Sequence, residues 1–318
     1  MKGLTDISGI RVGHASDYDA LTGATVILCG SGAVAGVDVR GSASGTAELG
    51  VLDPGHITDR VHAVVLSGGS AFGLEAAGGV RRWLERQGVG FKTGAAVVPI
   101  VPSAILYDLA IGKAGVRPTA EMGEAAARAA TAGPVQEGAV GAGTGATVGK
   151  LYGMKQAMKS GIGSAAVALP GGVVVASLVA VNAFGDVRDP ATGRIVAGAR
   201  RSPGSPEFVN TELQMQRGSA RGGIPGGNTT LAVVATNARL TKVGATKLAQ
   251  LAGLGMARTI YPVNTMFDGD IVFALSVGDL AADINTLGIA AAQALAEAIL
   301  RAVKMAPAMG GLPGLARP

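Results

Sequence analysis

The chain has 318 residues, with 27 basic against 22 acidic side chains (net charge +5), 48% hydrophobic and only 15% charged residues. Such a composition allows a large core in one domain or two and argues against disorder. The charge is dispersed, with Arg81-Arg82 and Arg200-Arg201 the only basic doublets and no basic patch interleaved with aromatics, so nucleic acid is a poor match as a partner.

In chain order, the opening Met-Lys-Gly-Leu-Thr-Asp-Ile lacks an apolar signal core. Cys29 is the single cysteine, which excludes an intramolecular disulfide and fits a reducing cytoplasm. Apolar, β-branched runs at 24–29, 63–66, 95–99, 165–169, 173–181, 231–235 and 271–275 predict strands. Helices are expected over 73–87, where Leu74, Ala77, Val80 and Leu84 recur at helical spacing, and over 120–132, 240–257 and 281–305. The stretch 160–185 carries no charge over 26 positions, long enough for a membrane span. Its Pro170-Gly171-Gly172 and the β-type runs on either side predict two buried strands joined by a tight turn instead, and no membrane partner is expected. The region 200–227, rich in Gly, Pro, Ser and Arg, reads as a surface loop, and the tail 310–318 as frayed. Strands mixed with helices make an α/β (α+β) class, with the core buried on more than one face.

The most informative run is Gly226-Gly227-Asn228-Thr229-Thr230, followed at once by an apolar strand. A hydroxyl residue after Asn228 could attack the Asn228 carbonyl; an N-to-O acyl shift and hydrolysis would then cut the chain. Thr229 would become a new N-terminus, its hydroxyl the nucleophile and its α-amine, of pKa about 7.7–8.0, the base. Taken alone, the five residues favour the plainer reading of a turn opening an ordinary strand.

Other residues shift that balance. Asp268-Gly269-Asp270 precedes the last predicted strand, and its two carboxylates share a face if the backbone is extended; one could hold the Thr229 amine and the other orient its hydroxyl. An ordinary Asp-Gly turn is the alternative. The glycine-rich run 141–150 invites a phosphate-loop reading, but Thr144 stands where the first glycine belongs and Leu151 where Ser or Thr should follow Lys150. It serves better as a tightly packed backbone presenting Lys150, whose charge would favour a free Thr229 amine and stabilise developing negative charge. Asn182 could donate to an oxyanion, and Tyr107 could be a second donor or a pocket wall; a turn asparagine and a core tyrosine are the alternatives. His14, His56 and His62 show no paired metal spacing and no Gly-x-Ser-x-Gly elbow occurs, so no metal, cofactor or serine triad is expected.

Together and in this order, these motifs resemble the DmpA-type L-aminopeptidase/D-esterase family, whose relatives include β-peptidyl aminopeptidases and nylon-oligomer hydrolases. The resemblance spans nearly the whole chain, through 4–14, 66–75, 101–108, 141–150, Val181-Asn182 with Gly185-Asp186, 227–230 and 267–270. It implies an α-β-β-α sandwich in one hydrolase domain over 1–318, self-cleavage into 1–228 and 229–318, and a homo-oligomer (dimer or tetramer) of the paired fragments. By motif it makes Thr229 nucleophile and base, Asp268 and Asp270 its partners, Lys150 the active-site lysine, Asn182 the oxyanion asparagine and Tyr107 the active-site tyrosine. Thr229 and Asp-Gly-Asp stand where the β-aminopeptidases have Ser and Ser-x-Glu, which points to the threonine branch. The run Gly41-Ser-Ala-Ser-Gly-Thr-Ala-Glu48 lacks the arginine of the family's Gly-Thr-Arg-Glu. The expected activity is amide hydrolysis of short peptides or amino-acid amides, with nylon-oligomer endohydrolysis as an alternative on the same site. The rivals from other classes are an uncleaved small-molecule binding protein and a nucleotide binder using 141–150.

Overall fold

The computed structural model describes residues 3–218 and 227–317. In chain order the strands and helices are β1 (Ile10–Asp17), β2 (Thr22–Val39), β3 (Gly45–Ala47), β4 (Val61–Ser67), α1 (Ala76–Arg86), β5 (Phe91–Lys92), β6 (Val97–Val98), β7 (Ser103–Ile105), α2 (Ala120–Arg128), β8 (Thr147–Val148), β9 (Met158–Lys159), β10 (Ile162–Ala168), β11 (Val174–Asn182), β12 (Asp186–Arg188), β13 (Ile195–Ala197), α3 (Thr211–Gln216), β14 (Thr229–Ala238), α4 (Lys242–Thr259), β15 (Ile260–Tyr261), β16 (Ile271–Leu280) and α5 (Ile284–Lys304).

Nine strands form one hydrogen-bonded sheet in the order β10-β11-β14-β16-β2-β4-β7-β3, with β1 also on β2. The 18-residue β2 spans two layers: its first half pairs with β1 and β4, and its second half, from Val34, with β16. Period-two alternation then sorts the side chains. On β11, β14 and β16, Leu178, Leu231, Val233 and Phe273 face one way, meeting Ile27, Val64 and Leu66 from β2 and β4 in a shared core. Their neighbours Val179, Ala232, Val234 and Val272 face the other way and pack on α4 and α5. The outer face of β2 and β4, through Val26, Leu28 and Val65, packs on α1 and α2. The result is helices, strands, strands, helices, the α-β-β-α sandwich that the family resemblance implies.

The uncharged stretch 160–185 forms the antiparallel pair β10–β11, turned at Pro170–Gly172. By length and composition α5 could cross a membrane, yet Leu287, Leu295, Ile299 and Val303 are buried among α4 and the sheet.

Four local expectations change. The helix over 73–87 begins as a 3-10 segment, Ser70–Glu75, and becomes α-helical only at Ala76. The run 95–99 yields only the two residues of β6, a short hairpin with β5. Part of the loop expected over 200–227 lies outside the described residues, at 219–226. The described part contains α3, which forms because Asn210 caps it, accepting from the Leu213 N–H, and the buried Asp186 carboxylate accepts from Thr211 N. The tail is tied down rather than frayed: Lys159 N donates to Pro313 O and Ala316 N to Ala306 O.

Adjacent residues of β16 serve different cores, so Phe273→Ala tests the sheet-on-sheet layer. We expect a loss of about 3–5 kcal/mol in denaturant unfolding. An unchanged midpoint would contradict a shared core between the two strand layers.

Candidate active site

Thr229 is the first residue of β14, and β14 is paired on both sides. Its antiparallel register with β11 sets Thr229 directly opposite Asn182, so their side chains share a face. Its parallel register with β16 starts at Leu231–Ile271 and is continued backwards by a bridge between Asn228 and Asp268. Asn182, Asn228, Thr229, Asp268 and Asp270 are thereby gathered where three strand ends meet, each no more than 2% exposed.

Lys150 arrives from the loop after β8. Gly149 takes φ 72, a left-handed turn that suits glycine, and passes tightly against the backbone at 198–199. Gly149 N and Lys150 N donate to the carbonyls of Gly185 and Phe184, fixing the loop beside the end of β11. The lysine Nζ then donates to Asn182 Oδ1 (2.7 Å), Asn182 O (2.9 Å) and Gly227 O (3.3 Å), one acceptor for each of its three protons. Burial pushes its pKa down to about 7, against the opposing pull of Asp268, Asp270 and Asp108.

The amide orientation of Asn182 follows from its partners. Oδ1 faces the Thr147 N–H (3.1 Å) and Lys150 Nζ, so Nδ2 points to the carbonyl of Tyr107 at 2.9 Å. Tyr107 meets Asn182 through its backbone, and lines a cavity of about 110 Å³ with Asp108, Ile111, Thr147, Lys150 and Met154 that reaches Gly227 and Asn228.

The two carboxylates hold different neighbours. Asp268 accepts from Phe184 N (3.2 Å) and Thr265 Oγ1 (2.5 Å). Asp270 accepts from Thr230 N (2.6 Å) and Asn264 N (2.9 Å), gripping the start of β14. Burial raises the pKa of both, and the charge of Asp268 helps push Asp270 up to about 7. At the junction itself, Thr229 Oγ1 donates to Asn228 O at 2.5 Å, and the same oxygen accepts Gly269 N–H at 2.9 Å. The nucleophile candidate thus lies against the carbonyl it would attack, with a backbone donor already on the oxygen.

The side chains of Thr229, Lys150, Asn182, Asp268 and Asp270 and the Asn228 junction are brought together, and Tyr107 joins them through its backbone and as a cavity wall. Three participants carry no sequence signal of their own. Gly269 acts through its backbone. Asp108 accepts from Gly69 N and Thr22 Oγ1, each at 2.7 Å, joining the glycine-rich turn after β4 to the cavity wall. Lys159 is fully buried with Nζ on the carbonyls of Gly143, Ala146 and Ser160, bracing the 141–150 run from beneath. Among the described residues no cluster of three or more His, Cys, Asp or Glu could hold a metal ion.

A family model for Peptidase family S58 matches residues 2–316. The chain belongs to peptidase family S58. It is 41% identical to an uncharacterized aminopeptidase of Mycobacterium leprae, covering 98% of this chain and 93% of that one. It is 33% identical to a 6-aminohexanoate-oligomer endohydrolase of Kocuria sp., covering 94% and 85%. The solved L-aminopeptidase D-Ala-esterase/amidase of Ochrobactrum anthropi, described as a variant of the Ntn-hydrolase fold, superposes with TM-score 0.75 over 98% of this chain and 88% of that one, at 21% identity. Family membership makes the S58 chain a peptidase-type amide hydrolase, and the fold is that of the Ntn hydrolases.

The lowered pKa of Lys150 has a measurable sign. Between about 7 and 10.5 the unfolded lysine binds a proton that the folded one has lost, so this group's contribution to stability rises with pH across that window. Lys150→Met should flatten the rise, read as denaturation midpoints from pH 7 to 10. An identical pH profile in the variant would place the Lys150 ammonium in solvent instead.

Proposed function

We propose that this S58 chain matures by cutting itself between Asn228 and Thr229 and then hydrolyses amide bonds of short peptides or amino-acid amides through an acyl-Thr229 intermediate. The observation that carries the reading is the 2.5 Å contact of Thr229 Oγ1 with Asn228 O inside a buried cluster of one lysine and two carboxylates.

In maturation, the Oγ1 proton passes to the neutral Lys150 amine, which a pKa of about 7 makes available at neutral pH. Oγ1 bonds to the Asn228 carbonyl carbon, and the carbonyl electron pair moves onto its oxygen. Collapse breaks the C–N bond, and the Thr229 nitrogen takes the proton back from Lys150. Water then hydrolyses the ester, leaving a carboxylate on Asn228 and a free amine and hydroxyl on Thr229. In turnover that amine takes the hydroxyl proton and hands it to the leaving amine. The second proton on Asn182 Nδ2, beyond the one given to Tyr107 O, is the side-chain donor for the substrate oxyanion. Asp268 and Asp270 orient the new N-terminus.

The likeness to a 6-aminohexanoate-oligomer endohydrolase supports a second reading on the same site, an internal cut in an oligoamide. The apolar side of the cavity, Ala110, Ile111 and Met154, suits an aliphatic spacer. Hydrolysis of amino-acid p-nitroanilides against linear 6-aminohexanoate oligomers separates the two.

Intact mass under denaturing conditions is the deciding measurement. We expect two fragments meeting at 228/229 in the wild type and one inactive, uncut chain in Thr229→Ala; a cut and active alanine variant would sink the mechanism, and an uncut wild type would favour a binding protein. The rate of cleavage should rise with pH through about 7 as Lys150 loses its proton. Lys150→Met should keep the fold and cleave at least about 100-fold more slowly, the scale of a lost acid–base group. Unchanged kinetics would remove Lys150 from the reaction.

A further inference from the structure

Self-cleavage needs a donor on the oxygen of the Asn228 carbonyl, where negative charge develops. Asn182 does not occupy that place in the uncut chain. Its Oδ1 is turned to Lys150 and Thr147, and its Nδ2 donates to Tyr107 O. Among the described residues, the donor on Asn228 O besides the attacking hydroxyl itself is the main-chain N–H of Gly269 at 2.9 Å.

The peptide unit carrying that N–H is held from both ends. In a trans peptide the C=O and N–H point in opposite directions. The carbonyl of Asp268 accepts Ala43 N–H at 2.9 Å, while the N–H of Gly269 meets Asn228 O. Two residues on, the carbonyl of Asp270 accepts from both Arg40 N and Gly41 N at 3.1 Å. The segment that follows β2 therefore grips the 268–270 turn from the side opposite Thr229. The approach is close on both sides: a Cβ on Gly269 would stand 2.8 Å from Thr229 Oγ1 and 2.7 Å from Ala43 O, and one on Gly41 would stand 2.1 Å from Asp270 N.

We propose that the Gly269 N–H is the oxyanion donor of self-cleavage, aimed at the scissile carbonyl by the 40–43 segment. The proposal rests on the reading of Thr229 as the self-cleaving nucleophile. Gly269 is then a catalytic residue acting through its backbone, and Gly41 and Ala43 are positioning residues. The oxygen gains charge against a fixed donor in a buried site, which is where such a donor acts most strongly. This gives a function to the 41–48 run, whose departure from the family pattern then lies outside the contacts that do the aiming, at 40–43.

The test replaces the 268–269 amide by an ester, with glycolic acid installed at position 269 of the full chain by cell-free translation. The ester keeps every side chain, removes the N–H and weakens the Asp268 carbonyl as the acceptor of Ala43 N–H, so it loosens donor and aim together. We expect a folded protein, checked by circular dichroism, whose cleavage is slowed about 100- to 1,000-fold, the cost of one lost oxyanion donor. Its pH midpoint should stay near that of the wild type, because the proton-transfer groups are untouched. Gly41→Ala, which tilts the same peptide without removing the N–H, should lower the plateau rate and likewise leave the midpoint in place. An ester protein that cuts at the wild-type rate beside an uncut Thr229→Ala would overturn the role of Gly269 while leaving the nucleophile standing. If Thr229→Ala itself cuts normally, the underlying reading falls and this one with it. A shifted midpoint in Gly41→Ala would show a general disturbance of the Lys150 cluster and overturn the aiming role of 40–43.

Discussion

The two-sided pairing of β14 is the constraint on which the site depends. A slip of one residue against either neighbour would turn Thr229 to the opposite face of the sheet. Such a slip would also carry Leu231 and Val233 out of the sheet-on-sheet core and Ala232 and Val234 away from the helices. The apolar alternation along β14 therefore locates the hydroxyl. The proposed nucleophile is placed by neighbours whose task is burial, and its position is as stable as the core itself.

That placement puts ionisable groups where water is scarce, and the rest of the site answers this. An isolated buried ammonium or carboxylate is costly, so each must be hydrogen-bonded, paired or neutralised. Among the described residues Lys150 makes no direct ion pair; its three donors meet carbonyl and amide oxygens. The carboxylates of Asp268 and Asp270 are met by backbone N–H groups and a threonine hydroxyl. Opposite charges are near enough to moderate one another's pKa without locking into a pair. A proton can then arrive at or leave Lys150 without breaking a salt bridge. Lys159 shows the contrast: burial lowers its pKa to about 7 as well, yet its three partners are backbone carbonyls, two of them in the loop it braces and the third that of Ser160. A shifted pKa alone does not set the proposed proton-transfer lysine apart from a scaffolding one; the two differ in contact with the Asn182 side chain and the junction.

The sequence makes some of this legible and hides the rest for physical reasons. The apolar runs name the central strands because period-two burial leaves a residue-by-residue trace. The Asn228-Thr229 junction and the Asp-Gly-Asp turn stand out because the proposed chemistry calls for side chains of these types. What stays hidden is whatever acts through the backbone or through distant contact. Nothing in the residue types at 40–43 announces that their N–H groups hold a turn more than 220 positions away. Asp108 looks like any acidic residue after a strand until its carboxylate is seen joining Gly69 and Thr22. The short helix α3 escapes a composition reading because its support, the buried Asp186, lies on another strand.

The Asp-Gly-Asp spacing has a different logic from that of a simple carboxylate pair. The flanking acids do not converge on one atom; each fixes a separate piece of backbone, Asp268 at Phe184 and Asp270 at Thr230 and Asn264. Between them the chain must come close enough for its N–H to reach Asn228 O. Only a residue without a side chain can do so while Thr229 Oγ1 and Ala43 O stand within 3 Å of where a Cβ would be. The acids therefore hold the turn to β14, and the glycine lets the turn touch the carbonyl. Moving either carboxylate by one position would leave the charges in place but break the grip on one side, and the amide between them would lose its aim.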